Sequence, residues 1–243
     1  MARKIYLTSF KGGVGVSTCA VGLGAALATL GERTLIVDGD VVCGSAVLIG
    51  DCRDLQVYTL GDYEKGACRA KQTLIFHPHD SNLCFMPSLG LSDPKVAAQA
   101  VGDVDGLFDF ILLDKIAPET CNEAIIVTEP FTPSVKSADC CRSTLIDGGI
   151  KEISLIVNKI NGGQILNGEV MTAHEIAALL HLPLKAVIPE DLTLPAGSWK
   201  QPTVKAFKTA AETVSGKREG YCNVLKGYGG LNGIIKRKLR AKL

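Results

Sequence analysis

The segment Phe10-Lys11-Gly12-Gly13-Val14-Gly15-Val16-Ser17-Thr18 gathers the residue types that bind an oxyanion. It follows a short apolar run, Ile5 to Thr8, and opens a long Ala/Leu-rich stretch. A strand, a glycine turn and a helix start aim successive backbone N–H groups and the positive end of a helix at one point, which suits a phosphate. Glycines are needed there because side chains would hold the backbone away from the anion. Two local patterns compete. The phosphate-loop pattern GxxxxGK[ST] is met at Gly15 and Ser17 but has Phe10 at its first glycine and Val16 at its lysine. Gly13-Val14-Gly15 with Asp38 some way downstream also approximates a dinucleotide fingerprint, with Thr18 in place of the third glycine. The loop alone leaves both open.

The elements around it are legible from hydrophobic patterning. Short, nearly continuous apolar runs at Ile5 to Thr8, Thr34 to Val37, Leu83 to Met86, Phe108 to Leu113, Ala124 to Val127, Ile153 to Val157 and Lys185 to Ile188 read as strands buried on both faces. Helical patterns follow at Ser17 to Leu30, Ala138 to Ile146, Thr172 to Leu180 and Val204 to Val214. Alternation of this kind predicts an α/β fold, a doubly wound, mostly parallel sheet with helices on both faces.

Composition narrows the class. With 243 residues, 47% hydrophobic and 21% charged, the chain can bury a large core in one domain. No apolar run reaches the roughly 18 residues of a membrane span, and Met1-Ala2-Arg3-Lys4 leads into a strand rather than a secretion signal, so a cytoplasmic protein is expected. The nine cysteines are scattered without a CxxC pair, and His77-Pro78-His79 with Cys84 lacks a second ligand pair; neither a disulfide framework nor a zinc site is indicated. The segment 231–243 carries Lys236, Arg237, Lys238, Arg240 and Lys242 with no acid, on a chain whose formal charge totals +1. Gly227-Tyr228-Gly229-Gly230 forms a hinge before it, which divides the chain into a domain of residues 1–226 and an appendage of residues 227–243. On a helix, Leu231, Ile234, Ile235 and Leu239 share one side, an amphipathic pattern suited to an anionic membrane surface.

Blocks spread along the chain decide between the loop readings. Lys11-Gly12-Gly13-Val14-Gly15, "LIVDGD", "FDFILLD", "IVTEPFTPSVKSAD", "LIVNK" and "AVIPED" occur in the order found in the MinD/ParA family of deviant Walker-A P-loop ATPases, which the sequence resembles, most of all in its MinD branch. The resemblance implies ATP or ADP and Mg²⁺ as ligands. It implies that Gly12, Gly13, Val14, Gly15, Val16, Ser17 and Thr18 surround the phosphates, that Asn158 and the loop of Pro189, Glu190 and Asp191 meet the base, and that Ser17 and Asp114 hold the metal. Asp40 would position water, Asp38 would assist at the metal side, and Lys11 would reach a partner's nucleotide across a homodimer.

The departures fall around the γ-phosphate. Val16 removes a cation, Pro118 stands where the family's second switch has an N–H donor, and only Lys115 to Asn122 separate Asp114 from the next strand, too few for the family's helix there. The resemblance therefore implies a degenerate enzyme: a nucleotide-binding protein, peripheral on the inner face of the cell membrane, that regulates division-site placement or polarity with slow or absent hydrolysis, alongside division-regulator partners. Lys115 is a candidate to replace the missing lysine. The alternatives are a non-catalytic scaffold that binds protein partners and a ParA-like DNA-partitioning protein; regular Leu/Ile spacing in the tail speaks for lipid over nucleic acid.

Overall fold

The computed structural model describes residues 1–116, 121–191 and 200–225. Pro118, the hinge and the basic segment with Leu231, Ile234, Ile235 and Leu239 lie outside the described residues. In chain order the elements are β1 (Arg3–Thr8), α1 (Val16–Thr29), β2 (Thr34–Asp38), α2 (Ser45–Ile49), α3 (Leu60–Glu64), β3 (Ile75–His77), β4 (Asp80–Pro87) and α4 (Pro94–Val104). They continue as β5 (Phe110–Asp114), β6 (Glu123–Thr128), α5 (Thr132–Asp147), β7 (Glu152–Ile160), α6 (Gly162–Leu166), α7 (Ala173–Leu180), β8 (Leu184–Pro189) and α8 (Gln201–Val214).

Among the described residues, eight strands form one sheet in the order β3-β4-β2-β5-β1-β6-β7-β8. Every pairing is parallel except that of β3 with β4. The expected doubly wound parallel sheet is therefore the fold. Period-two alternation splits each strand between two apolar layers. Ile5 and Leu7 of β1, Ile36 of β2, Leu112 of β5, Ile125 and Val127 of β6 and Ile156 of β7 face the layer covered by α1 and α8. Leu35, Val37, Ile111 and Leu113 face the opposite side under α4. Ala124, Ile126, Leu155 and Val157 face that same side under α5 and α7.

Three differences from the sequence reading have local causes. β3 is only three residues long with a register irregularity between Phe76 and His77, too short to show alternation. Helix α4 starts with Asp93, whose side chain accepts from the Lys95 N–H, and Pro94 at the first turn. The sequence pattern does not announce it, because its buried face is carried by Ala97, Ala100, Val101 and Val104, a weak apolar signal. Helix α5 begins at Thr132, ahead of the expected Ala138, because Pro133 falls in its first turn, where a proline lacks no needed donor.

The strand order reverses direction on either side of β1, so the chain leaves β1 and β6 on one side of a crevice and β2 and β5 on the other. That crevice, at the carboxyl ends of the strands, is where open α/β sheets bind ligands. Helix α8 anchors the sheet beneath it through Phe207, which is 2% exposed in the core shared with α1. Phe207→Ala should cost about 3–5 kcal/mol in a denaturant melt; a loss below 1 kcal/mol would show that α8 does not depend on this ring.

Candidate functional site

The loop between β1 and α1 is shaped by contacts from β7. Gly15 caps α1 with φ at +93°, and a Cβ placed there would come within 2.4 Å of the Asn158 amide nitrogen. That amide donates to the Val14 carbonyl at 2.9 Å, and the Lys159 ammonium donates to the Gly13 carbonyl at 2.6 Å. Only glycine satisfies both the left-handed backbone and the close approach at residue 15. Gly12 and Gly13 are exposed at the loop's rim, whereas Val14 and Val16 are buried in the layer beneath α1. Val16 thus takes part in the core.

The acids lie opposite. Asp38 and Asp114 are register partners at the ends of β2 and β5. Gly39 permits this closeness: its N–H donates to the Asp114 carbonyl at 2.9 Å, and a Cβ there would approach that oxygen to 2.2 Å. Asp38 accepts from the Val47 N–H at 2.9 Å and the Asp40 N–H at 3.1 Å. Burial raises its pKa, and these donors, with the Ala46 N–H, moderate the rise. Asp40 accepts from the Ser45 hydroxyl and from the Val42 and Cys43 N–H groups at 3.1 and 2.9 Å. Its pKa is lowered, by Ser45 first and then by Cys43, with Lys115 adding a favourable charge.

Asp114 is different. It is fully buried, and among the described residues neither of its carboxylate oxygens has a hydrogen-bond partner; the buried Ser17 hydroxyl also has none. Burial pushes its pKa up to about 6, with the nearby Ser17 hydroxyl and Lys115 charge pulling down and Asp38 and Asp40 adding to the rise. Ser17 lies close enough to favour the ionised form without reaching hydrogen-bond geometry. Orphaned buried polar atoms each cost about 1–3 kcal/mol, more when charged. A hydroxyl and a carboxylate left so are the hard oxygen donors that suit Mg²⁺ with its water shell.

Lys11 points sideways along the sheet. Its ammonium donates to Glu129 at 2.7 Å and to Ser134 at 2.9 Å. Lys159 reaches the other oxygen of Glu129, also at 2.7 Å. Burial works against ionised Glu129, yet the two lysines outweigh it and lower its pKa. Lys115 is exposed and left-handed, with φ at +60°.

The residues expected to meet the base, at the ends of β7 and β8, make structural contacts. Asn158 is buried under the loop it braces. Pro189 is the register partner of Ile160. Glu190 accepts from the Asn161 side chain at 2.9 Å, and Asp191 accepts from the Lys200 N–H at 3.1 Å and the Thr203 hydroxyl at 2.9 Å, at the start of α8. The sequence reading gave no role to Glu129, Ser134, Ser45 or Lys159. Glu129, Ser134 and Lys159 stand inside the quoted blocks, but only as polar residues whose partners are remote in sequence, and Ser45 opens the short helix α2.

The arrangement is therefore a glycine loop at a helix start facing a buried, unpartnered oxygen pair. A profile of the CobQ/CobB/MinD/ParA nucleotide binding domain matches residues 5–200. The septum site-determining protein MinD of Bacillus subtilis (strain 168) is 30% identical over 207 residues, 79% of this chain and 77% of that protein. The MinD cell division protein of Aquifex aeolicus superimposes with a TM-score of 0.83 at 25% identity, covering 90% of this chain and 100% of that one. MinD of Pyrococcus horikoshii, solved with Mg-ADP, gives a TM-score of 0.77 at 25% identity over 88% and 96% of the two chains. The chain belongs to the CobQ/CobB/MinD/ParA family of nucleotide-binding domains, on its MinD side.

Proposed function

We propose that this is a MinD-like protein that binds ATP or ADP with Mg²⁺ and takes part in placing the division site. The observation that carries the reading is the Ser17 hydroxyl and Asp114 carboxylate, buried and unpartnered beneath a loop whose backbone is held open by Asn158. Magnesium, when bound, would neutralise phosphate charge, and Ser17 and Asp114 are the residues that would hold it. Gly12, Gly13 and Gly15 would offer backbone N–H groups to the phosphates, with Thr18 supporting the α-phosphate. Asp40, kept ionised by three donors, would orient a water, and Asp38 would support the metal side. Asn158 retains an amide oxygen that could meet an adenine amino group while its nitrogen holds the loop.

Hydrolysis is the weak link. Val16 leaves the helix start without its cation, and a lost charge-assisted hydrogen bond costs about 1.5–3 kcal/mol, roughly ten- to a hundredfold in affinity. The reading is therefore of a binder with slow or absent turnover. Residues 1–226 would form the nucleotide domain and residues 227–243 a reversible membrane anchor, since each cation contributes about 1 kcal/mol near anionic lipid. Two such tails in a homodimer would hold far more firmly than one.

Isothermal titration with Mg-ATP and Mg-ADP should give measurable binding to the wild type and at least tenfold tighter ATP binding to Val16→Lys. Absence of heat in both proteins would sink the nucleotide reading. Asp114 offers a test by pH. Its folded pKa of about 6 lies above the ordinary 3.8, so its stabilising contribution is complete below about pH 4 and is lost as pH rises through 6. Asp114→Asn should therefore leave stability unchanged at low pH and raise it at pH 8 by up to about 3 kcal/mol without Mg²⁺. Equal melts for the two proteins at pH 8 would contradict that burial cost. For the membrane, vesicles with anionic lipid should float the full chain and leave behind a chain ending at residue 230; equal flotation would remove the tail's role.

A further inference from the structure

We propose that Glu129 is a positioning residue that holds both lysines flanking the phosphate loop, Lys11 and Lys159, on one carboxylate from which an incoming nucleotide phosphate must win them. The inference rests on the nucleotide reading above and adds a residue to it.

Glu129 follows the last residue of β6, and its side chain is nine-tenths buried at the flank of the loop. One oxygen takes Lys11 at 2.7 Å and the other takes Lys159 at 2.7 Å, so the carboxylate is saturated by two cations. The Ser134 hydroxyl, itself buried, accepts from Lys11 at 2.9 Å and lies 3.2 Å from the same Glu129 oxygen, closing a triangle that fixes the Lys11 head. Lys159 in turn ties the carboxylate to the loop backbone through the Gly13 carbonyl. Both lysine side chains remain about two-fifths exposed, so each has room to swing away.

With Val16 in the core, the loop's own Lys11 and Lys159 from β7 are the cations held beside it, and one carboxylate faces both. A carboxylate and a phosphate edge present the same pair of anionic oxygens to an ammonium. Binding a phosphate therefore means breaking contacts that already exist, and Glu129 weakens nucleotide affinity as it orders the empty loop. Its removal has an unusual sign. A purely structural acid would lower affinity when lost, because the loop would slacken; a competing acid raises it.

Glu129→Gln keeps the volume and removes the charge. Mg-ADP and Mg-ATP should bind the variant about three- to tenfold more tightly than the wild type, and Lys11→Ala in the same chain should erase most of the gain. Ser134→Ala, which removes only the hydroxyl beneath Lys11, should shift affinity in the same direction by less. Independently of any nucleotide, acylation of lysines by an N-hydroxysuccinimide ester, read by mass spectrometry, should be faster at Lys11 and Lys159 in Glu129→Gln, with exposed Lys65 as the unchanged reference. Weaker or equal nucleotide binding by Glu129→Gln and Ser134→Ala overturns the proposal, as does unchanged labelling. Faster labelling in chains that bind no nucleotide confirms the held lysines and overturns the nucleotide reading instead.

Discussion

Two carboxylates, Asp38 and Asp114, end neighbouring strands on the same rung of the sheet, out of contact with water. In a low-dielectric setting two such charges repel strongly, and each also loses its hydration. The structure answers the two cases differently. Asp38 is given backbone donors from the segment that follows it, so its charge is tied to the start of α2. Asp114 is given none, and burial raises its proton affinity. The divalent cation proposed above would settle both the repulsion and the orphaned oxygens. Gly39 allows the strand ends to approach, Ser17 supplies a neutral oxygen, and Asp40 is turned outward by Ser45.

On the loop side the charge has moved. A valine at the start of α1 contributes to the core, and the positive charge near the glycine loop is carried by Lys11 in the first half of the loop and Lys159 at the end of β7. Because one side chain comes from the loop and the other from β7, their positions depend on how the loop is seated on the sheet and on Glu129 between them. The loop's backbone is likewise held from outside, by Asn158 at Val14 and Lys159 at Gly13, where an internal lysine would otherwise help to tie it.

The fold was legible because buried parallel strands advertise themselves: Phe110 to Asp114 and Glu123 to Thr128 are buried throughout, and such runs cannot be mistaken for surface. The glycine loop and the aspartates at strand ends were legible for the same reason, since their positions follow from the strands. Less could be read where a residue's partner is remote in sequence. Glu129 meets Lys11 across 118 positions, and nothing local marks it as anything but a strand-end acid. Asn158 was read as a base contact from resemblance; its hold on Val14 needed coordinates. Helix α4 was lost to alanines, whose burial depends on the neighbouring sheet and leaves little hydrophobic trace.

The margin of the sheet carries one more consequence. At the β4 side it ends in β3, three residues long, antiparallel to its neighbour and interrupted between Phe76 and His77. A strand so short and irregular offers a poor template for a further strand. Edge-to-edge pairing is discouraged at that margin, and the sheet's backbone ladder closes with β3 on that side.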